Sequence, residues 1–206
     1  ECGNVATVEA LLHANADAMS PADNDNGWTA LHMACINGHI SGHDECVRAL
    51  LGKTDLDQKD KYGETALMLA CYNNNSPNVT AMKCVTALIE ANANVNHVDD
   101  MGHSALSAAS GCAEDPECVL ALIEAKATYD GHAMPIASAA GHFEVLKVLM
   151  QAFPPHNDDD FAMTAHHWSA GSSMPLADYD RLQAAFLRSL YCFINRRTRA
   201  ACTLAC

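Results

Sequence analysis

The residue types best suited to chemistry in this 206-residue chain are its 11 histidines and ten cysteines. His39, His43, Asp44 and Cys46 fall close together, and they are ligand types that a borderline metal such as zinc accepts. No paired-cysteine spacing of the zinc-site kind accompanies them. They read as a solvated loop running into a buried cysteine, so no metal is expected; if one did bind, His39, His43 and Asp44 would be its candidates. His166 and His167 follow the acidic run Asp158-Asp159-Asp160, which reads as a loop. Ser169-Ala170-Gly171-Ser172-Ser173 lacks the lysine of a phosphate-binding loop, and no G-x-S-x-G elbow occurs. No nucleophile, base and orienting group form a set. The expectation is a protein without catalytic residues or cofactor.

The elements that carry these residues come from a recurring phrase. Gly27-Trp28-Thr29-Ala30-Leu31-His32-Met33-Ala34-Cys35 returns as Gly63-Glu64-Thr65-Ala66-Leu67-Met68-Leu69-Ala70-Cys71. It returns again as Gly102-His103-Ser104-Ala105-Leu106-Ser107-Ala108-Ala109. Each copy is a turn glycine, a hydroxyl residue able to cap a helix, and a first turn of small apolar residues. A second phrase follows each one, as in Glu45-Cys46-Val47-Arg48-Ala49-Leu50-Leu51 and Lys83-Cys84-Val85-Thr86-Ala87-Leu88-Ile89. Its apolar residues fall on one helical face. Aligned on Leu31, Leu67, Leu106, Met134 and His166, the units step by 36, 39, 28 and 32 residues.

The phrase resembles the G-x-T-P-L-H-x-A-A of ankyrin repeats with Ala in place of Pro, and the mean step is close to that family's period of about 33 residues. Gly141-His142-Phe143-Glu144 matches the family's link between paired helices. The resemblance implies an all-α solenoid of about six stacked helix-turn-helix units with hairpin loops. The repeats run roughly over 1–24, 25–60, 61–99, 100–129, 130–159 and 160–190, the first partial and the last degenerate. Residues 191–206 form a basic, cysteine-containing tail. The first unit lacks its first helix, so the chain is expected to be a fragment or to have that end covered by another chain. The resemblance also implies that His32 and His167 are structural and bond between loops across repeats. The helix after Thr29 is expected to stop near Asn37-Gly38, because glycine tolerates the left-handed closing conformation.

The repeat register reassigns the cysteines. Cys35 and Cys71 share one place; Cys46, Cys84 and Cys118 share another. Equivalent residues of stacked helices lie roughly 8–10 Å apart, beyond the span of about 7 Å that a disulfide bridges between Cα atoms. Small buried thiols and an intracellular, reducing compartment follow, the cytoplasm by default with an organelle left open. No apolar run approaches the roughly 20 residues of a spanning helix. Residues 1–180 hold all 25 acidic residues against seven of the 12 Lys and Arg, so this body repels nucleic acid.

Three surfaces remain for partners. The hairpin tips and first helices, which in the resembled family form a concave recognition face, carry Trp28, then Lys59, Lys61 and Tyr62, then His97, Asp99, Asp100 and Met101, then Tyr129. Trp28 either belongs to this face or packs on its neighbour's loop. A second edge carries insertions at 39–45 and 72–82, expected side by side. The third surface is the tail, where Arg188, Arg196, Arg197 and Arg199 flank an amphipathic run suited to an acidic protein or an anionic membrane surface. The expected function is non-catalytic protein–protein recognition as a scaffold, adaptor or accessory subunit of a larger assembly. The alternatives are the regulatory ankyrin portion of a longer enzyme or channel, and a metal- or redox-responsive binding module.

Overall fold

The computed structural model describes residues 4–21, 25–38, 40, 42–72, 79–112 and 115–153. His39, the residues expected to form a degenerate sixth repeat (with His167) and the whole tail, including Arg188, Arg196, Arg197 and Arg199, lie outside the described residues.

Among the described residues the regular elements are nine α-helices and no strand: α1 (Val5–His13), α2 (Ala30–Ile36), α3 (His43–Leu50), α4 (Ala66–Tyr72), α5 (Val79–Glu90), α6 (Ala105–Cys112), α7 (Glu117–Glu124), α8 (Ala133–Ala140) and α9 (Phe143–Ala152). Each is too short to persist alone in water. They form because they stack. The first helices α2, α4, α6 and α8 pack in one row, the second helices α1, α3, α5, α7 and α9 in another, and each pair bridges the rows. One core runs the length of the stack. Leu31, Leu67, Leu106 and Met134 are buried in it at equivalent positions, as are Val47, Val85, Val119 and Val145 in the second row. Ala34, Ala70, Ala108 and Ala109 are buried where first helices meet, and only small side chains allow that approach. No helix among the described residues is long and apolar enough to cross a membrane.

Local departures from the sequence reading have physical causes. Gly38 does not take the left-handed conformation. A Cβ there would stand 3.0 Å from the Cys35 carbonyl and 3.1 Å from Cys84 Sγ, so close packing explains the glycine. The insertions are also shorter as loops than their lengths suggest. Gly42 turns with φ +89 and lets α3 start at His43. In the next unit α5 begins at Val79, so 79–82 add a helical turn in place of loop. In the fifth unit no Thr or Ser precedes α8, and the carboxylate of Asp130 supplies the cap. Its Oδ1 accepts from the His132 and Ala133 N–H groups at 2.9 and 3.1 Å.

Candidate binding surface: the hairpin ridge

The hairpin tips are built by aspartates. Asp60 Oδ1 accepts from the Tyr62 and Glu64 N–H groups at 2.8 and 2.9 Å, and its backbone N–H donates to the Glu64 carbonyl at 2.9 Å. Asp99 repeats the arrangement with Met101 and His103, both at 2.8 Å. Gly63 and Gly102 close the tips at φ +79 and +85, a region other residues enter at a cost. Successive tips are then joined by backbone bonds. The Lys61 N–H donates to the Asn26 carbonyl at 3.1 Å, and the Asp100 N–H to the Tyr62 carbonyl at 3.2 Å. The result is one ridge whose side chains stand at set spacing.

The ridge does not display all the residues expected on it equally. Tyr62 is 52% exposed and Met101 76%, at equivalent positions of adjacent tips. Lys59, Lys61 and Asp100 are exposed beside them, and the Lys61 ammonium lies 4.9 Å from the centre of the Tyr62 ring. Trp28 is half-buried and donates from Nε1 to Asp60 Oδ2 at 3.0 Å, which places it on its neighbour's loop. Asp99 is half-buried within its own tip. His97 is half-buried and donates from Nε2 to the Gly63 carbonyl at 2.8 Å. Tyr129 stacks on Phe153 with ring centres 5.9 Å apart. Glu64 lies between the tips, where burial and then the charges of Asp60 and Asp99 raise its carboxyl above the usual range.

Sequence reasoning missed Asp60 and Asp130. The first is the one aspartate that holds both a tip and its neighbour's indole. The second joins two units: its Oδ2 accepts from the Ser104 N–H at 3.1 Å and from the Ser104 hydroxyl. An aspartate three residues before a turn glycine signals the first role; nothing local signals the second.

His32 also bonds within its own unit. Its Nδ1 accepts from the Thr29 N–H at 3.2 Å and meets the Thr29 hydroxyl at 2.8 Å, a capping box within its own unit. The proton is therefore on Nε2, which is buried beside the Glu64 and Gln58 backbone carbonyls of the adjoining hairpin. Burial lowers the pKa of this imidazole, opposed by the nearby Glu64 and Gln58 carbonyls and the Asp60 charge. His97 and His142 also reach beyond their own hairpins, the latter donating from Nδ1 to the Ser110 carbonyl at 3.1 Å.

On the insertion edge, Asp44 pairs with Lys83 at 3.5 Å, which sets the starts of α3 and α5 side by side. Cys46 points into the core. The Nδ1 of His43 is buried and lines a groove of about 620 Å³ between α1, α2 and α3, with Val8, Ala30, Met33, Ala34 and Cys46. Asp44 and Cys46 thus have partners of their own, and no group of three His, Cys, Asp or Glu among the described residues has metal-holding geometry.

Comparison with known proteins agrees with this architecture. The family profile described as ankyrin repeats in three copies matches residues 1–82 and again 41–133. A crystal structure of an ankyrin repeat domain from Acinetobacter baumannii AYE is similar, with a TM-score of 0.60 and 25% identity. That likeness covers 73% of this chain and 76% of the other. No curated protein matches. A stack of paired helices joined by aspartate-built hairpins, matched by that profile over more than half its length, belongs to the ankyrin repeat family.

Proposed function

We propose that this chain is a non-catalytic recognition module that binds another protein along the ridge of hairpin tips, as a scaffold or as an accessory subunit of a multi-subunit assembly. Ankyrin repeats generally mediate protein–protein interaction, and the reading adds where and how this chain does so. One observation carries it: Tyr62 and Met101 stand exposed on adjacent tips that backbone bonds hold rigid. An aromatic and a flexible thioether on a preformed ridge bury much area for little ordering entropy when a partner arrives. Lys59, Lys61 and Asp100 surround them as a charged rim that sets orientation. Trp28, Asp99, His97 and Tyr129 shape the ridge from beneath through the bonds and stacking described above. The free thiols of the described residues, all buried except the half-exposed Cys112, fit a reducing compartment.

The test is a native pull-down with mass spectrometry, run in parallel on the wild type and on Tyr62→Ser/Met101→Ser. Both side chains are exposed, so the double variant keeps its thermal midpoint. A partner retained by the wild type and lost by the variant supports the ridge. Equal recovery from both rejects it.

A further inference from the structure

Six cysteines among the described residues are free: Cys35, Cys46, Cys71, Cys84, Cys112 and Cys118. The repeat register separates equivalent cysteines, but it places no limit on inequivalent ones. Cys71 lies near the end of α4, a first helix, and Cys118 near the start of α7, the second helix of the next unit. Their Sγ atoms are 3.8 Å apart, and both residues are buried. We propose that Cys71 and Cys118 form a cross-repeat dithiol that peroxide converts to a disulfide, locking the unit that carries Tyr62 to the unit that carries Met101.

The chemistry balances with hydrogen peroxide as oxidant. One thiolate attacks a peroxide oxygen, the O–O bond breaks, and a sulfenic acid and hydroxide form. The second sulfur then attacks the sulfenic sulfur, and the S–O bond breaks as the S–S bond forms. The two thiol protons leave in the two waters produced. The sulfur atoms must close from 3.8 Å to the ~2.05 Å of a disulfide. The contact with Cys118, and then burial, keep the Cys71 thiol protonated, so the reaction is slow and follows local opening of the stack. Cys112 supplies the contrast. It is half-exposed and lies close enough to Cys71 for its charge to be felt there. If access alone chose the product, Cys112 would be in it. If packing chooses, Cys71 and Cys118 are.

The full chain is oxidised with hydrogen peroxide in native buffer, the remaining thiols are blocked, and the digest is mapped without reduction. The expected result is an intramolecular Cys71–Cys118 link as the main product. It should come with a thermal midpoint raised by about 5–10 °C that returns to its starting value with dithiothreitol. Cys118→Ser, and separately Cys71→Ser, should abolish both the link and the shift. The wild-type map stands even if neither variant folds. A main product containing Cys112, links only between molecules, or full recovery of both thiols after prolonged oxidation would each overturn the proposal.

Discussion

Replacing Asp130 by Ala tests the idea that one carboxylate starts two helices in neighbouring units. Oδ1 caps α8 through the His132 and Ala133 N–H groups, and Oδ2 takes the Ser104 N–H and hydroxyl at the start of α6. Loss of a helix cap costs about 1 kcal/mol. Loss of a hydrogen bond to a charged group costs about 1.5–3 kcal/mol when buried, and the lower end applies to this half-buried carboxylate. The Ser104 N–H is not orphaned, because the Ser107 hydroxyl also accepts from it at 2.9 Å. The expected loss is therefore about 2–3 kcal/mol, read as a lower urea midpoint at unchanged slope. Asp130→Asn, which keeps one acceptor oxygen, should fall between. The pH dependence provides a second reading. Burial alone would raise the Asp130 pKa, but the Ser104 hydroxyl and the His132 and Ala133 N–H groups outweigh it and hold it below the usual value. A depressed folded-state value means the contribution is complete above the unfolded carboxyl pKa of about 3.9. It is lost as pH falls through the folded value. The gap between wild type and Asp130→Ala should be constant from neutral pH to about 5 and shrink below about 4. A loss under about 0.5 kcal/mol, or a gap that does not change at low pH, would refute the reasoning.

Three further outcomes follow from the packing. Leu67→Ala should lose about 2–5 kcal/mol by leaving a cavity, and Ala70→Leu about 1–3 kcal/mol by overfilling the α4 seam; unchanged denaturation midpoints would reject the buried assignment of both. Gly63→Ala should lose about 2–3 kcal/mol. A Cβ there enters a left-handed backbone and meets the Asp100 carboxylate at 2.7 Å, whereas at Gly52, with φ +76 and open space, only the conformational part of about 1 kcal/mol applies; equal losses at the two sites would remove the steric argument. His32 is held neutral by burial, so its folded pKa lies below that of the unfolded chain. Its contribution is complete above the unfolded value of about 6.5 and is lost as pH falls toward the folded one. His32→Gln should lose stability at pH 7 with its cap but show a flatter decline below it, and parallel pH profiles would contradict this.

Much of the architecture was legible because a repeat writes its register several times. Gly27, Gly63 and Gly102, each followed two residues later by Thr or Ser, mark helix starts that chance does not place at such spacing. The small residues after them report how near the helices come. Insertions were harder to read, since breaker-rich composition does not say where a helix resumes. His43 and Val79 begin helices inside segments that look like loop, because a left-handed Gly42 and the next unit's packing surface decide the matter.

The sequence by itself determined the fold class, the period and the identity of the core, because burial and helical spacing leave a repeated one-dimensional pattern. It also placed the tips. Which tip residues reach solvent was a tertiary outcome. Tyr62 and Met101 point outward, while Trp28, His97 and Tyr129 are drawn onto neighbouring units by an aspartate, a carbonyl and a phenyl ring. The same holds for Asp130 and for the Cys71–Cys118 contact. Each joins inequivalent positions of adjacent units. A repeated pattern encodes equivalence, and such contacts exist only once the units are stacked at a definite angle and offset.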